Sequence, residues 1–180
     1  MGSSKVRIEG QRIKLTNLDE SDLSLFIEMF TCPNQMQHVY NPGSVAEAKI
    51  AFLDKSKPWS YECDHWLTFA IEDLTTGEKL GNIGLRVTNQ NDRVAEVGFM
   101  IKATAQGKGI ASEALALVIN YAFDVINLQK LIAYCSTLNT NSFKLLEKFA
   151  FTREALLKKN TLINDNYVDD YAYGLCSTHR

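Results

Sequence analysis

Gln106-Gly107-Lys108-Gly109-Ile110-Ala111 stands where the sequence period changes, and this junction organises the 180-residue chain. Before it, Val94 to Ile101 reads as a strand. After it, Ile110 to Val125 carries Ala111, Leu115, Val118, Ala122 and Phe123 at helical spacing. Glycines at such a junction leave backbone N–H groups unpaired at the positive end of a helix dipole, a combination that attracts phosphate. The missing Cβ also admits positive φ and a close approach of the anion. A ligand-free glycine turn has the same composition, so the loop alone leaves both readings open.

Spacing narrows the phosphate reading. A P-loop needs Ser or Thr directly after its Gly-Lys pair, but Gly109 follows Lys108, and the upstream glycine is absent. A Rossmann fingerprint needs a third small residue three positions past the second glycine and an acidic residue about 20 further on. Ser112 and the meander before the loop fit it badly. What remains is the spacing Gln106-x-x-Gly109-x-Ala111, with a second glycine at Gly107.

Upstream, Arg12 to Leu15 reads as an opening strand. Asp19 caps a helix bearing Leu23, Phe26, Ile27 and Phe30, and Ser44 to Glu47 forms a capping box for a second helix that stops near Pro58. Trp66 to Ile71, Leu80 to Val87 and Val94 to Ile101 make an antiparallel meander, turned at Thr76-Gly77 and at Asn89 to Asp92. Downstream, Lys130 to Cys135 is a short buried strand, so strand, loop, helix and strand form a parallel crossover. A helix over Asn141 to Phe149 and strands over Phe151 to Leu157 and Tyr167 to Cys176 complete one expected domain over 1–180.

Composition excludes several classes. The formal charge of −2 and pI near 5.9 give no global attraction for nucleic acid or anionic lipid. No apolar run approaches the roughly 20 residues that span a bilayer, so a soluble, cytoplasmic chain with no membrane partner is expected. Met1-Gly2 opens like an acylation signal, but Val6 stands where Ser or Thr is needed. Cys32, Cys63, Cys135 and Cys176 are scattered and read as reduced thiols. Cys63 and His65 lack a second pair at ligand spacing, so no metal is expected. Cys63-Asp64-His65 reads as a plain loop rather than a nucleophile with its base.

Two further segments join the loop: Asn139-Thr140-Asn141-Ser142-Phe143-Lys144-Leu145-Leu146-Glu147-Lys148-Phe149-Ala150-Phe151, and Ala95-Glu96-Val97-Gly98-Phe99-Met100-Ile101. With the loop, they resemble in order and separation the motifs of the GNAT acetyltransferases. Ala150 stands where the family usually has glycine. The stretch from Arg12 through Asp22 and the ending Tyr167 to Tyr173 resemble the Rim-type branch, which acetylates ribosomal-protein N-termini.

The resemblance implies a mixed α/β GNAT fold: a mostly antiparallel sheet of six to seven strands with a central splayed parallel pair, flanked by about four helices. It implies acetyl-CoA as cofactor, its pantetheine arm lying against Phe99, Met100 and Ile101 and contacting Asn139. The pyrophosphate would sit on Gln106, Gly107, Lys108, Gly109, Ile110, Ala111 and Ser112. Glu96 becomes the candidate base, with a structural strand glutamate as its alternative reading. The Met100 N–H is the candidate oxyanion donor. Leu146 occupies the position where many members carry an acidic tyrosine, and Ser142 could instead serve the sulfur or simply cap the helix. The acceptor is expected to be a protein N-terminal α-amine, with a small amine as alternative, in a monomer or homodimer. A non-catalytic acyl-CoA-binding module is the reading from another class. The segments Cys32 to Gly43 and Asn160 to Asn166 would read the acceptor, and His38, in the first of them, reads foremost as an exposed loop histidine with acceptor recognition as its alternative. Trp59, Tyr61 and Trp66 belong to its cleft or to the core.

Overall fold

The computed structural model describes residues 6–179. The Met1-Gly2 start lies outside the described residues. A hairpin of β1 (Arg7–Glu9) and β2 (Ile13–Asn17) opens the chain, followed by α1 (Leu23–Thr31), α2 (Pro33–Met36) and α3 (Val45–Lys55). The meander is β3 (Leu67–Asp73), β4 (Lys79–Asn89) and β5 (Val94–Ile101). Then come α4 (Ile110–Asn120), β6 (Lys130–Ser136), α5 (Thr140–Lys148), β7 (Thr152–Ile163) and β8 (Asn166–Cys176). All strands form one sheet in the order β1-β2-β3-β4-β5-β6-β8-β7, antiparallel throughout except for β5 with β6.

The mixed α/β architecture is the one expected, with eight strands instead of six or seven and five α-helices instead of four among the described residues. The extra strand, β1, is a three-residue edge in which Arg7 and Glu9 flank Ile8, too short for a period. The extra helix, α2, is a single turn started by Pro33 at its first position. Asp19 caps a 3₁₀ turn, Glu20–Asp22, which leads into α1. Ser44 and Glu47 form the expected capping box of α3. The long helix expected to Val125 turns π-helical over Tyr121–Val125.

One expected loop is a hairpin instead. Asn160 to Asn166 is mostly strand, because Asn164 and Asp165 alone make the turn, with φ of 49° and 60°. Two consecutive positive-φ residues match the right-handed twist of the paired strands, and Asn and Asp tolerate that region.

Strand alternation splits the side chains between two layers. Leu67, Phe69 and Ile71 of β3 join Leu115 and Val118 of α4 in the main core, while Ala70 joins Phe26 and Phe52 of α1 and α3. On β5, Ala95, Val97 and Ile101 belong to the α4 layer, so Glu96, Gly98 and Met100 face α1 and α3. Each fully buried large side chain contributes about 1.5–3 kcal/mol over exposure, so this two-sided burial is what fixes the register.

β5 and β6 pair only at Val94↔Lys130, Ala95↔Leu131 and Glu96↔Ile132. Beyond Glu96, β5 stays with β4 as far as Gly81↔Ile101, and β6 stays with β8 as far as Ser136↔Asp170. The sheet therefore opens a wedge between Val97 to Ile101 and Ala133 to Ser136.

Candidate active site

The wedge is the centre of a cavity of about 270 Å³ that opens to both faces of the sheet. Its walls include Glu96, Phe99 and Met100 from β5, Tyr134 to Ser136 from β6, and Asn139, Ser142 and Leu146 from the start and middle of α5. At the end of β5, the chain enters the glycine loop. Gly107 and Gly109 both adopt left-handed backbone, with φ of 73° and 77°. Gly109 is the N-cap of α4 and supplies no side-chain cap, so the first-turn N–H groups are left to a ligand. A Cβ at Gly107 would meet nothing within 4 Å, whereas one at Gly109 would come to 3.1 Å from Arg12 Nη2. Arg12 also bonds the Lys108 carbonyl at 3.0 Å and Glu113 at 3.1 Å, which ties the loop to β2.

The direction of the β5 backbone corrects one expectation. The Lys102 N–H donates to the Leu80 carbonyl at 2.9 Å, while the Ile101 carbonyl accepts from Gln35 and Gln106 side chains at 2.8 and 3.0 Å. Because backbone groups alternate along a strand, Met100 turns its N–H and C=O toward Asn82 of β4. Val97, Phe99 and Ile101 turn theirs into the wedge. The edge donors are therefore the Phe99 and Ile101 N–H groups, and the Met100 N–H is already committed to the ladder. Gln106 acts through its side chain, bracing the end of β5.

Asn139 caps α5, its Oδ1 accepting from the Ser142 N–H at 3.2 Å. Only its amide NH₂ remains to donate toward the cavity. Ser142 hydrogen-bonds the Cys135 thiol, and burial pushes that thiol up to about 11, with Asp170 adding to the shift and the Ser142 bond opposing it. Cys135 is thus an inert packing thiol rather than a nucleophile. Leu146 is 1% exposed and lines the wedge with hydrocarbon, so no proton donor stands at that position.

On the acceptor face, Glu96 pairs with its cross-strand neighbour Arg86 at 2.7 Å. Asp170, 6% exposed, faces the same cavity from β8; Asn160 Nδ2 at 2.8 Å and Thr161 Oγ1 at 2.5 Å both bond its Oδ2. Among the described residues, no cation pairs with it. Tyr40 lines the cavity at its rim, 63% exposed, and loss of solvent around its hydroxyl, then the charges of Glu96 and Asp170, raise its phenol above the ordinary range. Trp66 packs on Gly98, where an added Cβ would meet its ring at 3.2 Å, and carries Lys55 and Arg86 on its π system.

The structure thus brings Glu96, Phe99, Met100, Asn139 and Ser142 around one wedge and sets Gln106 to Ser112 at its end. His38 also lines the cavity, half-buried, with Nδ1 unpartnered. Trp66 is a cleft residue, and Trp59 and Tyr61 pack against the core. Cys63 and His65 stay in a loop, and no metal-ligand cluster occurs among the described residues. Sequence reasoning missed Tyr40, Lys55 and Asp170. Asp170 could have been found, since pairing β8 with β6 puts it beside Ser136; Lys55 gave no signal.

Residues 12–152 match the model of the acetyltransferase (GNAT) domain. The chain belongs to the GNAT acetyltransferase family. The donor of that family is acetyl-CoA, and the cleft and glycine loop have the donor set for a pantetheine arm and a pyrophosphate. Over 162 residues the chain is 35% identical to spermidine N(1)-acetyltransferase of Escherichia coli K12, covering 86% of this chain and 81% of that one. It is 34% identical over 107 residues to N-acetyltransferase p20 of Bacillus licheniformis, covering 59% of this chain and only 60% of that relative's length. The spermidine N-acetyltransferase of Vibrio cholerae, solved with CoA and spermine, superposes with a TM-score of 0.82 at 23% identity, over 94% of this chain and 98% of that one. Among the described residues no helix is long and apolar enough to cross a membrane.

Proposed function

We propose that this GNAT domain transfers the acetyl group of acetyl-CoA to the primary amine of a small molecule by direct attack in a ternary complex. The observation that carries this reading is the pair of carboxylates, Glu96 and Asp170, facing one cavity across the wedge, with Asp170 buried and, among the described residues, without a counter-cation. A buried carboxylate lacking a cation partner is costly unless a ligand supplies the charge. An entering ammonium does so.

The thioester would lie in the wedge with its carbonyl oxygen toward the Phe99 N–H. Glu96 takes one proton from the bound ammonium, the neutral amine nitrogen then attacks the carbonyl carbon, and the proton left in excess on nitrogen passes to the departing sulfur. The tetrahedral intermediate then collapses with cleavage of the C–S bond. The departing thiolate needs little help, because a free thiol has a pKa near 8.5. That fits the hydrocarbon of Leu146 where a phenol would stand.

A protein N-terminal α-amine, the acceptor implied by the Rim-type resemblance, is the second reading. It is favoured by an unperturbed amine pKa near 8, closer to neutrality than lysine. The narrowing of the acceptor side where the β7–β8 hairpin is tied to the loop before α3, the Asn164 N–H bonding Asn41 Oδ1 at 2.7 Å, favours the small amine. Thiol release from acetyl-CoA, measured with a panel of small amines and N-terminal peptides, separates the two. In the same assay Glu96→Gln should lower kcat by about 10²–10⁴ with CoA affinity retained, and Asp170→Asn should chiefly raise the KM of the amine. Peptides outperforming every small amine would transfer the assignment to protein N-termini; full activity in both variants would remove the two carboxylates from the mechanism.

A further inference from the structure

The acceptor cavity has two charged side chains that, among the described residues, lack an oppositely charged partner, and they are of opposite sign. Asp170 stands at the β8 end. At the other end Lys55, from the last turn of α3, reaches the cavity wall, its Nζ 4.5 Å from the centre of the Trp66 ring. The nearby acids are engaged elsewhere: Asp54 bonds Lys57, and Glu96 bonds Arg86. Among the described residues no carboxylate pairs with Lys55.

A half-buried ammonium carries three N–H donors and gains strongly from an anionic acceptor. Burial pushes Lys55 down to about 8; Arg86 adds to that shift, while Asp54 and Glu96 oppose it. An arriving anion would reverse the shift. Between the two charges, Phe26, Met29, Phe30 and Met36 give the cavity an apolar wall.

These features discriminate between kinds of amine. A polyamine brings a second cation toward Lys55, and a plain alkylamine leaves Lys55 without an acceptor. We propose that the acceptor is a primary amine bearing a carboxylate, of amino-acid to dipeptide length with an apolar side chain. Its amine is held between Glu96 and Asp170, and its carboxylate pairs with Lys55. The scale is consistent: the Trp66 ring that carries Lys55 packs on Gly98 of β5, and the wedge begins on the far side of β5, one strand spacing of ~4.8 Å away. The carboxylate takes no part in the chemistry and serves only as a handle. This inference rests on the acceptor-site reading above.

The test compares kcat/KM at pH 7 for methionine, phenylalanine and alanyl-methionine, each against its C-terminal amide, with spermidine alongside. The acid form should exceed the amide by about tenfold or more in at least one pair, the discrimination expected of a charged hydrogen bond. Spermidine should be the poorer substrate. Lys55→Met should bring the acid-to-amide ratio toward one, and Lys55→Arg should preserve the preference. CoA affinity and melting temperature measured on both variants verify that each is folded. A wild-type ratio near or below one, spermidine as the best substrate, or a ratio that survives Lys55→Met would each overturn the carboxylate handle while leaving the small-amine reading in place. Absence of thiol release with every amine, in protein that binds CoA, would overturn both.

Discussion

At the scale of the residue, the proposed function rests on charges placed where folding alone would not place them. Asp170 is buried with two neutral hydrogen-bond donors, and Lys55 is half-buried against an indole face. Such groups cost stability in the empty protein and are retained where a ligand offsets the cost. For Lys55 the cost has a defined pH window. Its native pKa, about 8, is below the ordinary lysine value, so the buried charge is penalised at and below pH 8. Between pH 8 and the unfolded value near 10.4 the native state has lost the proton that the unfolded chain keeps, and stability rises with pH. The groups facing Lys55 are Asp54 on its own helix, Arg86 on β4 and Glu96 on β5. Lys55→Met should therefore raise the melting temperature at pH 7, and the gain should shrink toward pH 10. An equal gain at both pH values would show that Lys55 carries no burial penalty. None of this was visible in sequence, where Lys55 is one basic residue in the last turn of an amphipathic helix. Glu96 was singled out through the family resemblance, from its position on the strand before the loop, and the structure places it on the cavity wall.

At the scale of the element, two backbone positions decide whether the site is built. The turn after α5 is a Schellman motif: the Phe151 N–H bonds the Leu146 carbonyl at 3.1 Å and the Ala150 N–H bonds that of Glu147 at 3.1 Å. Ala150 holds the left-handed position with φ of 61°. An L-residue with a Cβ pays roughly 1–2 kcal/mol there, so Ala150→Gly should stabilise the protein by about 1 kcal/mol, read as a rise in the denaturation midpoint without loss of CoA affinity. A lowered midpoint would mean that the Ala150 methyl packs usefully. The sequence showed the departure from glycine; the structure shows that the turn keeps the glycine conformation regardless. In the glycine loop the geometry runs the other way, because Gly109 is both left-handed and close to Arg12. Gly109→Glu adds a strained side chain and a negative charge where a pyrophosphate would sit, and CoA binding measured by calorimetry should be abolished. Unchanged affinity would detach the cofactor from this loop. The elements the sequence did not reveal, β1, α2 and the far end of β7, are short or polar, and their partners rather than their periods define them. Met100 was misassigned for a related reason: which way a backbone N–H points depends on pairing with β4, and composition does not record it.

At the scale of the whole molecule, one break in one sheet organises everything else. Because β5 and β6 part after Glu96, a wedge forms through the middle of the fold. One face of the sheet gives it a cofactor wall from α5 and the loop before α4. The other gives it an acceptor wall from α1, α2, α3 and the β7–β8 hairpin. The period change at the glycine loop was enough to predict the parallel crossover, and the family resemblance added the splaying that makes the wedge. It could not predict the acceptor wall, which is assembled from segments far apart in sequence, such as Asn41 and Asn164. In the proposed ternary complex donor and acceptor would approach the same point from opposite faces, and the thiol on the cavity wall, that of Cys135, is buried, which raises its pKa to about 11 and disfavours the thiolate. The account requires both substrates to be bound together. Initial rates of thiol release, measured while acetyl-CoA and the amine are varied in turn, test this most directly. Saturation in both substrates with intersecting double-reciprocal lines is the predicted result; parallel lines, the mark of an acetylated enzyme intermediate, would contradict it.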